Sequence, residues 1–224
     1  MDFQERRAKL IAESKIKIKE SVADDNLISQ AINSISEIDR AANILSKRLR
    51  EWYSLYNPEL NHYISDNDVF VKEVLADPVK EDLSMGADLQ DSDKKQILDL
   101  ASKINSLFEE KENLIDYINK KMEVFCPRLL EMAGPLIGAK LLAHKGHLKD
   151  LAFMPASTIQ LLGAEKALFR HLRSKNSSSP KYGYILQHQE VSKAKNKGKA
   201  ARQFANRISL AVKQDYFSKE AKSD

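Results

Sequence analysis

The chain has 224 residues, 42% hydrophobic and 30% charged, with 36 Lys+Arg against 32 Asp+Glu for a formal net charge of +4. Its 7 Gly and 6 Pro are too few for a β-sandwich, which turns every ~8–12 residues, or for the many short loops of a doubly wound α/β fold. One cysteine, Cys126, excludes a disulfide framework and a multi-cysteine zinc site, and no apolar run approaches the ~18–20 residues that span a bilayer.

Composition therefore predicts a soluble, intracellular, all-α protein. Its charge is divided unevenly. Residues 1–139 carry 19 Lys+Arg and 26 Asp+Glu, a net of −7, and residues 140–224 carry 17 and 6, a net of +11. Four of the five histidines lie in the basic part. That polarity predicts two functional regions, the second facing a polyanion or simply presenting a solvated basic surface.

Residues 4–25 are helix-compatible, with Leu10, Ile11, Ile16, Ile18 and Val22 in an irregular register. The following segment is written in heptads. Ile28, Ile35, Ala42, Leu49 and Tyr56 recur every seven residues, and Ala31, Ile38, Leu45 and Trp52 fall three later, the a/d stripe of a left-handed coiled coil. Asn57-Pro58 ends that helix, because the residue before Pro avoids the α region. Val69, Phe70, Val71, Val74 and Leu75 predict a short helix at the tip, followed by an acidic, mobile loop over 76–91. A second stripe runs through Ile97, Leu100, Ile104, Leu107, Leu114 and Ile118, with Lys111 interrupting it, Ser92 as N-cap and Pro127 as the far limit. Two stripes of similar length predict an antiparallel hairpin. A hairpin alone buries little, so a second copy is expected to pair with it through Ile35, Ile38, Leu45, Leu49 and Trp52.

Beyond Pro127 glycines become frequent. Leu129–Leu142 is apolar with small residues on one side, which suits close helix packing. Gly134-Pro135-Leu136-Ile137-Gly138-Ala139-Lys140 lacks the spacing and the Ser/Thr of a phosphate loop. His144 and His147 have no third ligand to complete a zinc site. No metal, cofactor or catalytic triad is expected. Ser157 or Thr158 is expected to cap a helix over Ile159–Leu172. Tyr184-Ile185-Leu186 reads as extended, and Lys193, Lys195 and Lys197 form a basic run. The last helix carries Lys199, Arg202, Arg207 and Lys213 outward and Phe204, Ile208 and Val212 inward. Phe169 is expected in the core, and for Glu165 the alternative to serving a partner is pairing with a neighbouring lysine such as Lys140 or Lys166.

The run Leu151-Ala152-Phe153-Met154-Pro155-Ala156-Ser157-Thr158-Ile159-Gln160-Leu161-Leu162-Gly163-Ala164-Glu165-Lys166-Ala167-Leu168-Phe169-Arg170 resembles the signature of the Nop domain family. So do Pro180-Lys181-Tyr182-Gly183 and Gly198-Lys199-Ala200-Ala201-Arg202, and the preceding hairpin with Trp52-Tyr53 and Pro58-Glu59-Leu60 is similar to that family's coiled coil.

The resemblance implies a long antiparallel coiled-coil hairpin over 1–126 that pairs two copies, and a compact helical Nop domain over 127–224. It implies a non-catalytic scaffold of archaeal box C/D guide ribonucleoproteins, which direct 2′-O-methylation. Such a scaffold binds a kink-turn RNA together with the kink-turn-binding protein, and reaches the methyltransferase fibrillarin through an N-terminal domain not found ahead of these helices. The chain is therefore expected to be a fragment, cytoplasmic in an archaeon or nucleolar in a eukaryote. Lys166, Arg170, His171, Gln187, His188, Lys199 and Arg202 are expected to face RNA, and Ser157, Gln160, Ala164 and Glu165 the kink-turn protein. The alternative is a coiled-coil interaction protein whose basic head binds acidic protein or membrane lipid.

Overall fold

The computed structural model describes residues 3–78, 80, 83–174 and 177–223. Among these residues there is no strand, and eleven α-helices and one 3-10 turn account for the regular structure. No described helix is long and apolar enough to cross a membrane. The chain divides into two compact units, one made of 1–33 with 117–224 and the other of 34–116.

The unit over 34–116 is built on the stretches of α2 (Asp24–Tyr53) and α5 (Asp91–Phe125) that fall within it, with α3 (Pro58–Tyr63) and α4 (Asn67–Leu75) at the turn. The helices run antiparallel. Lys94 Nζ meets Tyr56 Oη at 3.5 Å and Lys111 Nζ meets Asp39 at 2.8 Å, so α5 climbs seventeen residues while the facing segment descends seventeen. The lysine that breaks the apolar stripe is thus an ion-pairing residue across the hairpin. Leu49, Tyr53, Phe70, Val71, Val74, Ile97, Ala101 and Ile104 form the buried core.

Pro58 does more than end α2. It opens α3 at the first helical position, where its missing N–H is not needed, and Asn57 Oδ1 caps that helix by accepting from Leu60 N. Helix α5 starts at Asp91, so Ser92 lies in its first turn rather than at the cap. The loop expected to be mobile is pinned where it is described. Glu59 accepts from Met85 N at 2.9 Å and Ser84 Oγ at 2.7 Å, bonds that hold its carboxyl below the usual range, and Lys80 Nζ donates to the Gly86 carbonyl at 2.7 Å. Val79, Glu81 and Asp82 lie outside the described residues.

Arg50 organises the turn. Its guanidinium donates to Asn67, Asn61 and the carbonyls of Ile64, Ser65 and Asp66, all within 2.7–3.1 Å, and it lies 4.1 Å over the Phe70 ring. A planar fork with five donors suits this task; an ammonium does not.

In the other unit, the described side chains of α1 (Phe3–Glu20) are solvent-exposed, in keeping with its irregular register. Helix α11 (Lys197–Ser223) is the central element. It packs against α6 (Pro127–Lys145), α7 (Leu148–Ala152), α8 (Ala156–Ile159), α10 (Gln189–Ser192) and the 3-10 turn Tyr184–Gln187. Phe204, Ile208 and Val212 are fully buried, facing inward as their spacing predicts. Helix α6 bends at Gly134-Pro135, where the backbone leaves helical geometry. Its N-terminus is capped from far along the chain: the buried Asp215 carboxylate accepts from Leu129 N at 2.8 Å and Arg128 N at 3.2 Å, satisfying amides a helix start leaves unpaired.

Candidate nucleic-acid interface

The segment expected to be one helix over Ile159–Leu172 is broken. Helix α8 stops at Ile159, a turn follows, and α9 begins at Glu165. Gly163 is the cause: its φ is +88°, a left-handed conformation that disfavours any residue with a Cβ. Neither Ser157 nor Thr158 caps a helix; Pro155 holds the cap position of α8 without a side-chain bond.

The break creates a docking edge for the Pro180-Lys181-Tyr182-Gly183 segment. Gly183 N donates to the Gln160 carbonyl at 2.9 Å, Tyr184 N to the Leu162 carbonyl at 2.7 Å, and Gln160 Nε2 to the Lys181 carbonyl at 2.6 Å. A Cβ on Gly183 would sit 1.9 Å from the Leu162 carbonyl oxygen, so only glycine allows this approach. Two separated motifs are thereby hydrogen-bonded to one another.

Together with the start of α11 they line a cavity of about 610 Å³, formed by Ser157, Gln160, Leu161, Ser179, Pro180, Lys181, Asn196, Gly198, Lys199 and Arg202. Asn196 caps α11, its Oδ1 accepting from Lys199 N at 3.1 Å. The cavity holds three cationic side chains and the positive end of a 27-residue helix, a setting that attracts phosphate. It joins residues expected on opposite edges, Ser157 and Gln160 on the protein side and Lys199 and Arg202 on the RNA side. Lys181, Asn196 and Ser179 belong to the same wall and escape a reading of the sequence, although Lys181 stands inside the Pro180–Gly183 motif.

The other expected residues lie on α9 (Glu165–Arg173) and the 3-10 turn. Lys166 and Arg170 are both exposed, and their four-residue spacing puts them on one face of the helix. Phe169 is 59% exposed and Leu172 70%, so Phe169 is not core: α9 buries no residue and presents two apolar side chains among its cations. His171 is half-buried, with Nδ1 bonded to the Ser177 carbonyl. Ala164 is half-buried at the cap of α9. Glu165 pairs with neither Lys140 nor Lys166. It accepts from Gly163 N at 2.7 Å and meets His144 Nε2 at 3.0 Å, because the turn at Gly163 brings its carboxylate back over its own helix start.

Tyr184-Ile185-Leu186 is a 3-10 turn, not extended. Gln187 Oε1 accepts from Lys140 Nζ at 2.9 Å. His188 stacks on Phe204 with centroids 4.3 Å apart, and its Nδ1 accepts from Glu190 N at 3.4 Å. Lys193, Lys195 and Lys197 are exposed. Among the described residues no group of acidic, His and Cys side chains could hold a metal ion; His147 instead meets Asp25 at 3.1 Å.

In the unit over 34–116, Ile35 and Leu49 are buried within one chain, Ile38 and Leu45 are half-buried, and Trp52 is 38% exposed.

Comparison with known proteins decides the family. The model described as Nop, snoRNA binding domain, fibrillarin, matches residues 34–80 and 73–224. The chain belongs to the Nop family. It is 38% identical over 217 residues to an uncharacterized NOP5 family protein of Methanocaldococcus jannaschii, covering 86% of this chain and 52% of that one. It is 38% identical over 240 residues to nucleolar protein 56 of Saccharomyces cerevisiae, covering 93% and 47%. This Nop chain thus spans about half the length of those relatives. Among solved structures, a chain of a fibrillarin/Nop5p complex superposes with a TM-score of 0.56 at 26% identity, over 95% of this chain and 69% of that one.

Proposed function

We propose that this Nop chain is a non-catalytic scaffold of a box C/D RNA-guided 2′-O-methylation ribonucleoprotein. The observation that carries the reading is the cavity at the start of α11, where Lys181, Lys199 and Arg202 stand beside the neutral Ser157 and Gln160. Cations meet phosphate, and neutral side chains meet the edge of a protein that already covers part of the RNA. Exposed Lys166 and Arg170, with Phe169 and Leu172 between and beyond them on α9, extend the same mixed character.

In this reading residues 127–224 recognise the kink-turn RNA and its bound protein, and residues 1–126 pair two copies through Ile38, Leu45 and Trp52, whose surfaces the single chain leaves partly open. Ile35 and Leu49 act by supporting that face from within. Fibrillarin would be reached through parts of a longer protein. The likeness to a nucleolar protein favours the nucleolus in a eukaryote; in an archaeon, which has no nucleus, the same scaffold would work in the cytoplasm.

The deciding experiment is a gel-shift series with a kink-turn RNA, with and without the kink-turn-binding protein. The scaffold reading expects a tight supershift only when both are present. Equal binding to bare RNA, or binding to anionic vesicles in preference to the complex, would overturn it.

A further inference from the structure

The segment 177–181 is tied at both ends. The Ser177 carbonyl accepts from His171 Nδ1 and the Lys181 carbonyl accepts from Gln160 Nε2. Between these anchors the backbone has no regular structure, and Ser178 and Ser179 are exposed. Ser179 is followed by Pro180, and both line the cavity that contains Lys181, Lys199 and Arg202. A hydroxyl displayed on an irregular loop, with proline next, is a substrate pattern for proline-directed serine kinases. The unusual feature is what surrounds it: an anion placed on that hydroxyl would share one cavity with Lys181, Lys199 and Arg202, the cations that the scaffold reading assigns to RNA phosphate.

We propose that Ser179 is a phosphorylation site, and that its phosphate occupies the cationic cavity in place of an RNA phosphate. The inference rests on the scaffold reading for its consequence, not for the site itself. In the transfer, Ser179 Oγ attacks the γ-phosphorus of a nucleoside triphosphate. The Oγ–P bond forms, and the bond from that phosphorus to the β,γ-bridging oxygen breaks. The nucleoside diphosphate leaves with the electron pair, and the hydroxyl proton passes to a base of the kinase. The product carries about −1.5 to −2 charge at neutral pH with three acceptor oxygens, enough to engage two or three cationic side chains. Tethering makes it an intramolecular competitor, present at an effective concentration of millimolar order. The unmodified scaffold is then competent for RNA, and the modified one is blocked at this cavity.

The test treats the whole chain with a proline-directed serine kinase and ATP, and maps the phosphate by mass spectrometry. The kink-turn RNA–protein complex is then titrated with treated and untreated chain, and phosphorus NMR follows the phosphoserine with pH. Expected are phosphate on Ser179, at least a tenfold weaker affinity, and a titration midpoint below the ~6 of an ordinary phosphoserine. The midpoint should return toward that value in Lys199→Ala/Arg202→Ala. Kinase treatment should leave Ser179→Ala at its own untreated affinity. Phosphate confined to other residues, undiminished binding by Ser179-phosphorylated chain, or an ordinary midpoint in the wild type overturns the proposal. If untreated chain fails to bind the complex, the scaffold reading falls, while the NMR titration still judges the occupied cavity.

Discussion

His188 lies flat on Phe204, with ring centroids 4.3 Å apart and planes 19° from parallel. The stack is part of the fold, since Phe204 is fully buried on α11. With Nδ1 accepting from Glu190 N, the neutral ring carries its proton on Nε2. His188→Ala should lower stability by about 1 kcal/mol, the scale of an aromatic pair beyond its area, read by urea denaturation. His188→Phe should recover the stability but not the donor. If the residue also serves RNA, the Phe variant folds normally and still binds the RNA–protein complex more weakly.

The cavity and α9 supply separable sets of cations. Lys199→Ala/Arg202→Ala and Lys166→Ala/Arg170→Ala should each weaken binding to the complex and flatten its dependence on salt. The log–log slope should fall by roughly 0.7–0.9 for each phosphate that is no longer neutralised. Helical content should not change, because all four side chains are exposed. Lys193→Ala/Lys195→Ala should do much less. A defect seen in that last variant and in no other would point to a diffuse electrostatic attachment instead.

Pairing of two copies can be tested at the half-open positions. Ile38→Glu/Trp52→Glu would bury unpaired charge at a seam between chains, at positions that the single chain leaves half-buried and exposed, outside its own core cluster. Light scattering should report dimers for wild type and monomers for the variant, with circular dichroism unchanged. Wild-type monomers at high micromolar concentration would refute the pairing.

Arg50→Ala removes five hydrogen bonds and a cation stacked on Phe70. Charged hydrogen bonds contribute about 1.5–3 kcal/mol each, though not additively. A drop of about 2 kcal/mol or more is expected by thermal or urea unfolding, on that same scale. Arg50→Lys should recover little of it, since three rotatable donors cannot reproduce the fork.

Cys126 is fully buried, and burial pushes its thiol up to about 12; burial also pushes the Tyr53 phenol up to about 12. Both groups have folded values above the unfolded 9.0 and 10.0. Their neutral forms are therefore favoured by folding, and that contribution is complete below the unfolded values and lost as pH rises toward about 12. Stability should decline above pH ~9. A thiol reagent at pH 8 should label Cys126 only after denaturant is added; rapid labelling of native protein would contradict its burial.

The heptads made the hairpin legible, because a repeating apolar position survives any local irregularity. They did not say which column the chain keeps for itself: Ile35 and Leu49 are buried, but the turn of the helix brings Ile32 and Tyr53 inside in place of a fully covered Trp52. Near the cavity the sequence misled for a different reason. Residues 159–172 have good helix-forming content, and one glycine with positive φ overrides it. With the helix broken, Glu165 turns back to His144 and Phe169 faces solvent. The resemblance pointed to the motifs; only the fold shows that Lys181 and Asn196 share a wall with Lys199 and Arg202.

The carboxylate of Asp215 at the start of α6 also sets an order of events during synthesis. Leu129 precedes its cap by 86 positions. At about 5–20 residues per second, the ribosome delivers the cap roughly 4–17 seconds after the helix it serves. Through that interval the first amides of α6 have only water, and its apolar face lacks the central helix that covers it. The nascent segment is then exposed to chaperones and proteases, and its final structure waits on the late arrival of α11.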